Sequence, residues 1–357
     1  MSELLNVFAQ RLKQARILKK MSMDQLVANI GGIITKQAIS KYEKAKMMPN
    51  SMVLAALATA LDVDVDYFFR PFTFNVNELK MSFRKKSSTS VKDVNSLKVQ
   101  IQDEVERYLE VEEILGKDKQ SALQLECGYL SESSQMRKQA NKLREEWQLG
   151  LDAIGNVQDI LEAHGIKVIC TEAPLEFDGV SGVINGKDYI VVLNKRQEHV
   201  ERRRFTTMHE LGHLLFDKHF SPTLTLREKE KLCDAFASEM LLPSIVLQGI
   251  FSPGDKISTS EVRQLQVVYG ISFDAIMHKL YELDIINDSK YKAYCIRKNQ
   301  NVALKRFVED SCYNEAFSTK FETMVYAAAA KDLISTSKAA SLLHSSVGTV
   351  RKHLNVF

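Results

Sequence analysis

His209-Glu210-Leu211-Gly212-His213 constrains this chain more tightly than any other stretch. Two histidines four residues apart lie on one face of an α-helix, one turn apart, so their rings can meet at one point only if the segment is helical. The neighbouring Met208, Leu211, Leu214 and Leu215 give that helix an apolar side to bury. An imidazole pair at this spacing suits a single Zn²⁺, and the carboxylate of Glu210 stands beside it. From there it can take a proton from zinc-bound water attacking a carbonyl, which makes Glu210 the catalytic candidate.

A catalytic zinc takes three protein ligands and keeps one position open. Two residues compete for the third place. His219 stands where an H-E-x-x-H-x-x-G-x-x-H pattern has its third histidine, but Phe216 holds the glycine position at which the chain would turn out of the helix. Glu230, seventeen residues after His213 on the next helical stretch, would bring a carboxylate from a second helix. Asp234, one turn later, could accept a hydrogen bond from a ligand imidazole and fix its tautomer. Glu228 and Asp234 are weaker substitutes for the ligand, and Cys233 reads as packed rather than ligating.

Charge points to a second activity. Over all 357 residues, 48 basic and 45 acidic side chains leave only +3, which by itself argues against a nucleic-acid partner. The first fifty residues, however, hold nine Lys/Arg against three acids, a local +6. Within them Ser22 can cap one helix, Gly31-Gly32 breaks it, and Thr35 can cap a second that runs through Lys36-Gln37-Ala38-Ile39-Ser40-Lys41-Tyr42-Glu43. Leu54, Leu57, Leu61 and Tyr67-Phe68-Phe69 supply a further apolar face. Over about sixty residues this resembles the Cro/cI-type (XRE) helix-turn-helix domain, with a turn about two residues longer than the usual form. That resemblance implies a second helix lying in the major groove, with Thr35, Lys36, Gln37 and Lys41 facing a double-stranded DNA operator. It also makes Ala38 and Ile39 packed positions and Glu43 a structural partner.

Further along, residues 99–115 read as an acidic amphipathic helix with its acids outward, and 83–90 as a loop. A helix ending at His164-Gly165 precedes a strand at Ile166–Ile169, Asp178–Gly186 is rich in turn residues, and Tyr189–Leu193 is a buried strand. Helices follow from about Glu198 to Asp217 and from about Arg227 to Leu242. Trp147 fits a helix-docking cluster. Residues 334–354 again read helix, short turn, helix: either a second helix-turn-helix-like unit or a small bundle that packs on the preceding domain or mediates assembly.

Arg204-Phe205-Thr206-Thr207-Met208 before HELGH, with the EKLCDAFASEMLLP block at 230–243, resembles the ImmA/IrrE family of zinc metallopeptidases. The resemblance spans about Gly165 to Pro243. It implies that His209, His213 and Glu230 bind zinc, that Glu210 is catalytic, and that the substrate is a protein such as a helix-turn-helix repressor. Fusion to an N-terminal Cro/cI-type domain also occurs in that family.

The expected fold is α+β, mainly α. An all-helical helix-turn-helix domain (1–70) is followed by a helical connector (71–150), a zincin-like peptidase core with a small β-sheet (151–260), and a helical C-terminal region (261–357). The expected function is a DNA-binding transcriptional regulator with zinc-dependent endopeptidase activity on a repressor, a partner or itself, and a homodimer is compatible with it. The alternative is a non-catalytic helix-turn-helix factor or antitoxin-like regulator with a sensory or structural metal site. Substrate peptide is expected to pair with a strand edge near Tyr189–Leu193. Five scattered cysteines without a CxxC pair, no apolar run near the roughly 18 residues of a membrane span, and an N-terminus without a signal core lead to a cytoplasmic expectation, with no membrane partner.

Overall fold

The computed structural model describes residues 2–73, 90–116 and 127–354. All of the loop expected at 83–90 except Ser90 lies outside them. In chain order the helices begin with α1 (Ser2–Leu18), α2 (Met23–Asn29), α3 (Lys36–Glu43), α4 (Ser51–Leu61) and, after a short 3₁₀ turn at Val65–Phe69, α5 (Val91–Ile114). Next come α6 (Ser133–Glu146), α7 (Val157–Ala163), strands β1 (Lys167–Thr171), β2 (Gly179–Ile184) and β3 (Asp188–Asn194), then α8 (Val200–Phe216) and α9 (Leu226–Leu241). The chain continues through α10 (Ser244–Ile250), α11 (Thr259–Tyr269), α12 (Phe273–Glu282), α13 (Asp288–Gln300) and α14 (Val302–Glu309), and ends on α15 (Lys320–Ala330), α16 (Thr336–Leu342) and α17 (Val347–Leu354). No helix among the described residues is long and apolar enough to cross a membrane.

The described residues form two compact units: 2–73, 90–116 and 320–354 make one, and 127–319 the other. The stretch 71–150 is therefore divided between them, α5 going to the first and α6 to the second. The C-terminal region is divided likewise at about residue 320.

In the first unit Phe8, Leu12, Leu26, Ile39, Leu57, Leu61 and Phe68 form one core in which α1 to α4 meet. α5 packs against α1 and α15. The expectation that its acids all face outward fails, because Asp103 and Glu106 are buried. Glu106 pairs with the buried Arg11 at 2.7 Å and with Arg70 at 3.2 Å, while Asp103 pairs with Arg107 at 2.9 Å and Arg70 at 3.0 Å. The helical period placed these acids correctly along α5. Which side became the inside was decided by the arginines that arrive from α1 and from Arg70. Arg107 also donates to the carbonyl of Leu342, and Lys338 pairs with Glu110 at 2.6 Å, so α16 is fastened to α5.

In the second unit the sheet order is β1-β3-β2. β1 runs parallel to β3, with Lys167 opposite Ile190, and β2 antiparallel to it, with Ser181 opposite Val191. β2 occupies the segment expected to be turns. Its glycines answer to packing: a Cβ on Gly179 would lie 2.9 Å from Thr206 Cγ2 on α8 and 3.0 Å from the Val192 carbonyl. Ile190–Leu193, Met208, Leu211, Phe216, Phe236 and Met240 are buried where sheet, α8 and α9 meet. Trp147 is buried, as expected, and stacks on His164 with ring centroids 4.1 Å apart.

Burial opposes ionisation of Asp103, but His344, Arg107 and Arg70 outweigh it and hold the carboxyl well below the usual carboxylate range. Its stabilising contribution is therefore complete above the unfolded-state value near ~3.9 and lost as pH falls through the lower folded value. Acid unfolding of the first unit should show this loss below about pH 4. Asp103→Asn should lower stability at pH 7 and flatten the acid limb, which urea melts at a series of pH values would measure.

Candidate metal centre and DNA-reading helix

α8 and α9 pack directly on each other. Gly212, within the HELGH stretch, makes this approach possible: a Cβ there would lie 3.2 Å from Phe236 Cδ1 and 3.4 Å from both Cβ and Sγ of Cys233. Across the contact, Nε2 of His209 and Nε2 of His213 are 3.1 Å apart. Glu230 reaches both, its Oε2 lying 3.4 Å from His209 and its Oε1 3.3 Å from His213. These three residues are the cluster of metal-capable donors found among the described residues.

The donor set fits zinc. Ligand bonds of about 2.0–2.1 Å in a tetrahedron imply edges of about 3.3 Å between donor atoms, and the three separations bracket that length. The outward ring nitrogens are fixed as well. Asp234 Oδ1 lies 2.8 Å from His209 Nδ1, and Asp217 Oδ1 lies 2.9 Å from His213 Nδ1. A carboxylate on Nδ1 selects the tautomer whose Nε2 lone pair points at the metal position and makes it a stronger donor. Burial disfavours protonation of His209, but Asp234 and Glu230 outweigh it and raise its pKa. His213 is raised against burial by Asp217, Cys233 and Glu230, and hydrogen bonds from both rings lower Glu230. The pocket therefore stabilises positive charge at one point.

The competing ligands are placed elsewhere. His219 is outside the cluster; its backbone N–H donates to the Phe216 carbonyl and its own carbonyl accepts from Leu130. Glu228 caps α9, accepting from the backbone N–H and hydroxyl of Thr225. Cys233 is fully buried, and burial pushes its thiol up to about 11 with His213 opposing, so it remains a packed thiol.

Glu210 lies on α8 between the two histidines, and Ser181 Oγ on β2 donates to its Oε2 at 2.7 Å. The sequence reading missed both Ser181 and Asp217. Asp217 could have been found, since it is one turn from His213 on the same helix. Ser181 could not, because only strand pairing brings β2 beside α8. The expected docking edge at Tyr189–Leu193 is overturned: β3 is the middle strand, its hydrogen-bonding edges taken by β1 and β2, and β2 ends the sheet.

In the first unit the turn between α2 and α3 gains its extra length from two left-handed glycines, Gly31 and Gly32, at φ +70° and +69°. Thr35 Oγ1 accepts from the Ala38 N–H at 3.3 Å and caps α3. Ile39 and Tyr42 are buried, which leaves Lys36, Gln37 and Lys41 exposed on the opposite face. Lys36 pairs with Asp24 at 2.7 Å across the motif. Glu43 is gripped by Arg16 through two bonds of 2.6 and 2.8 Å, a bidentate fork that locks α3 to α1.

Residues 161–281 match the family model of the IrrE N-terminal-like domain, peptidase family M78, and residues 12–68 match a helix-turn-helix family model. The two matches are the fusion that the resemblance implied. Among curated proteins none matches the chain.

Replacing Asp234 or Asp217 by Ala should weaken zinc binding by about 10–100-fold each, since neither touches the metal position but each orients a ligand. Competition with a chromophoric chelator would measure it.

Proposed function

We propose that this chain, a helix-turn-helix segment joined to an IrrE-like peptidase domain, is a DNA-binding regulator that cleaves a protein: a repressor, a partner or itself. The observation that carries the reading is the convergence of His209, His213 and Glu230 on one point, with Glu210 on the same helix. When bound there, zinc would polarise a substrate carbonyl as a Lewis acid.

The remaining steps belong to the chain. His209, His213 and Glu230 supply the ligand atoms, and Asp234 and Asp217 keep the imidazoles in the ligating tautomer. Glu210 takes a proton from the attacking water and returns it to the leaving amine. The Ser181 hydroxyl occupies one lone pair of Oε2 and leaves Oε1 to accept that proton. An extended peptide would add to the outer edge of β2, beside Glu210, by strand pairing. A non-catalytic regulator with a sensory metal would have no use for a carboxylate held in this position by a second element.

Glu210→Gln should retain zinc and lower cleavage of a candidate helix-turn-helix repressor by about 10²–10⁴-fold. Cleavage at the parent rate in that variant, with metal content unchanged, would remove Glu210 from its role. For the DNA half, Lys41→Ala should weaken binding across all sequences alike and reduce the slope of log K against log[salt] by about 1 if Lys41 contacts a phosphate. Anisotropy titrations over a salt series read both quantities.

A further inference from the structure

Residues 320–354 repeat, inside the first unit, the build of the α2–α3 pair. Ser22 Oγ caps α2 by accepting from Gln25, and Ser335 Oγ caps α16 by accepting from Lys338. Both capped helices run seven residues. Each turn that follows contains a left-handed residue: Gly31 and Gly32 in the first, His344 at φ +47° in the second. A hydroxyl then caps an eight-residue helix in both, Thr35 accepting from Ala38 at 3.3 Å and Ser346 from Thr349 at 3.0 Å. Counted from those caps, the buried anchor Ile39 corresponds to the buried Val350, and the exposed Lys41 to the exposed Lys352. α15 packs on both α16 and α17 and completes a three-helix group.

Charge follows the same pattern. Residues 320–354 carry five Lys/Arg against two acids. His353 is committed to the fold, stacked on Tyr326 at 5.3 Å and hydrogen-bonded to the Thr349 carbonyl. Lys338 is committed to Glu110 at 2.6 Å. Arg351 and Lys352 are exposed and have no ion-pair partner among the described residues. On the first turn of α17, Gly348 is exposed, and a Cβ there would meet only Ser346 Oγ, at 3.7 Å. That surface is open enough for a nucleic-acid backbone or base edge to come close to the helix.

We infer that residues 320–354 form a second DNA-reading element, in which α17 presents Gly348, Thr349 and Lys352 to the major groove of double-stranded DNA and Arg351 contacts a phosphate. This goes beyond the reading of α3, because it gives the first unit two recognition helices. The charge complementarity of an unpaired basic pair on the outward side of a helix-turn-helix favours DNA over a protein partner.

The test uses the full chain and a mixed-sequence 40-base-pair duplex, followed by anisotropy across a salt series. Arg351→Gln with Lys352→Gln should lower the salt slope by about 2, for two lost phosphate contacts. Gly348→Glu, which the open surface accommodates, should weaken binding by about tenfold or more through repulsion of phosphate. Circular-dichroism melts of both variants should match the parent. Parent-like slope and affinity in both variants would overturn the inference, and would do so equally if sedimentation showed an altered oligomer, since α17 would then be a protein-contact surface. Failure of the α3 reading is seen separately, as an unchanged slope in Lys36→Gln with Lys41→Gln. A parent chain with no salt-dependent binding would overturn both.

Discussion

The peptidase-like unit depends on how closely α8 can approach α9. Two histidines on one helix and a carboxylate on another can share an ion only if their donor atoms come within about 3.3 Å, and side chains of fixed length permit that only when the helix backbones are close. Gly212 supplies the space, with Phe236 and Cys233 filling the opposite side. Other contacts then hold the two helices where that approach put them. Lys279 on α12 bonds Glu239 at 2.7 Å and the Ser238 carbonyl at 3.2 Å, anchoring the end of α9. Arg204 on α8, fully buried, donates to the carbonyls of Ile154, Gly155 and Gly270 and pairs with Glu315.

Buried ion pairs recur as the device that joins distant parts of the chain. In the first unit Arg11, Arg70 and Arg107 converge on Asp103 and Glu106 of α5. Such pairs add modest net stability because desolvation offsets their attraction, yet losing one partner leaves an uncompensated charge and costs about 3–5 kcal/mol. They therefore act mainly as registers: an arginine with five donors tolerates only the arrangement that satisfies them.

Much of the candidate site was legible in the sequence because its parts are local. Helical spacing alone puts His209 and His213 side by side, and a carboxylate seventeen residues on, in a second helix, is reachable by a short hairpin of helices. The local +6 pointed to α3 for a similar reason, since charge and capping are properties of neighbours in sequence. What escaped notice was non-local. Val180, Val183 and Ile184 alternate with glycines and small residues, so β2 reads as turns until β3 is present to pair with it. The acids of α5 look solvent-facing until arginines from α1 and from Arg70 meet them.

By itself, then, the sequence determined the two functional helices, their caps, the three donor residues and the division of charge, because each follows from periods of three to four residues or from composition over a few turns. Only the tertiary structure decided that Asp217 and Ser181 complete the centre, that β2 rather than β3 ends the sheet, and that the last three helices join the first unit. Those outcomes depend on which surfaces meet after chain segments far apart in sequence are brought together, and no local pattern encodes the partner.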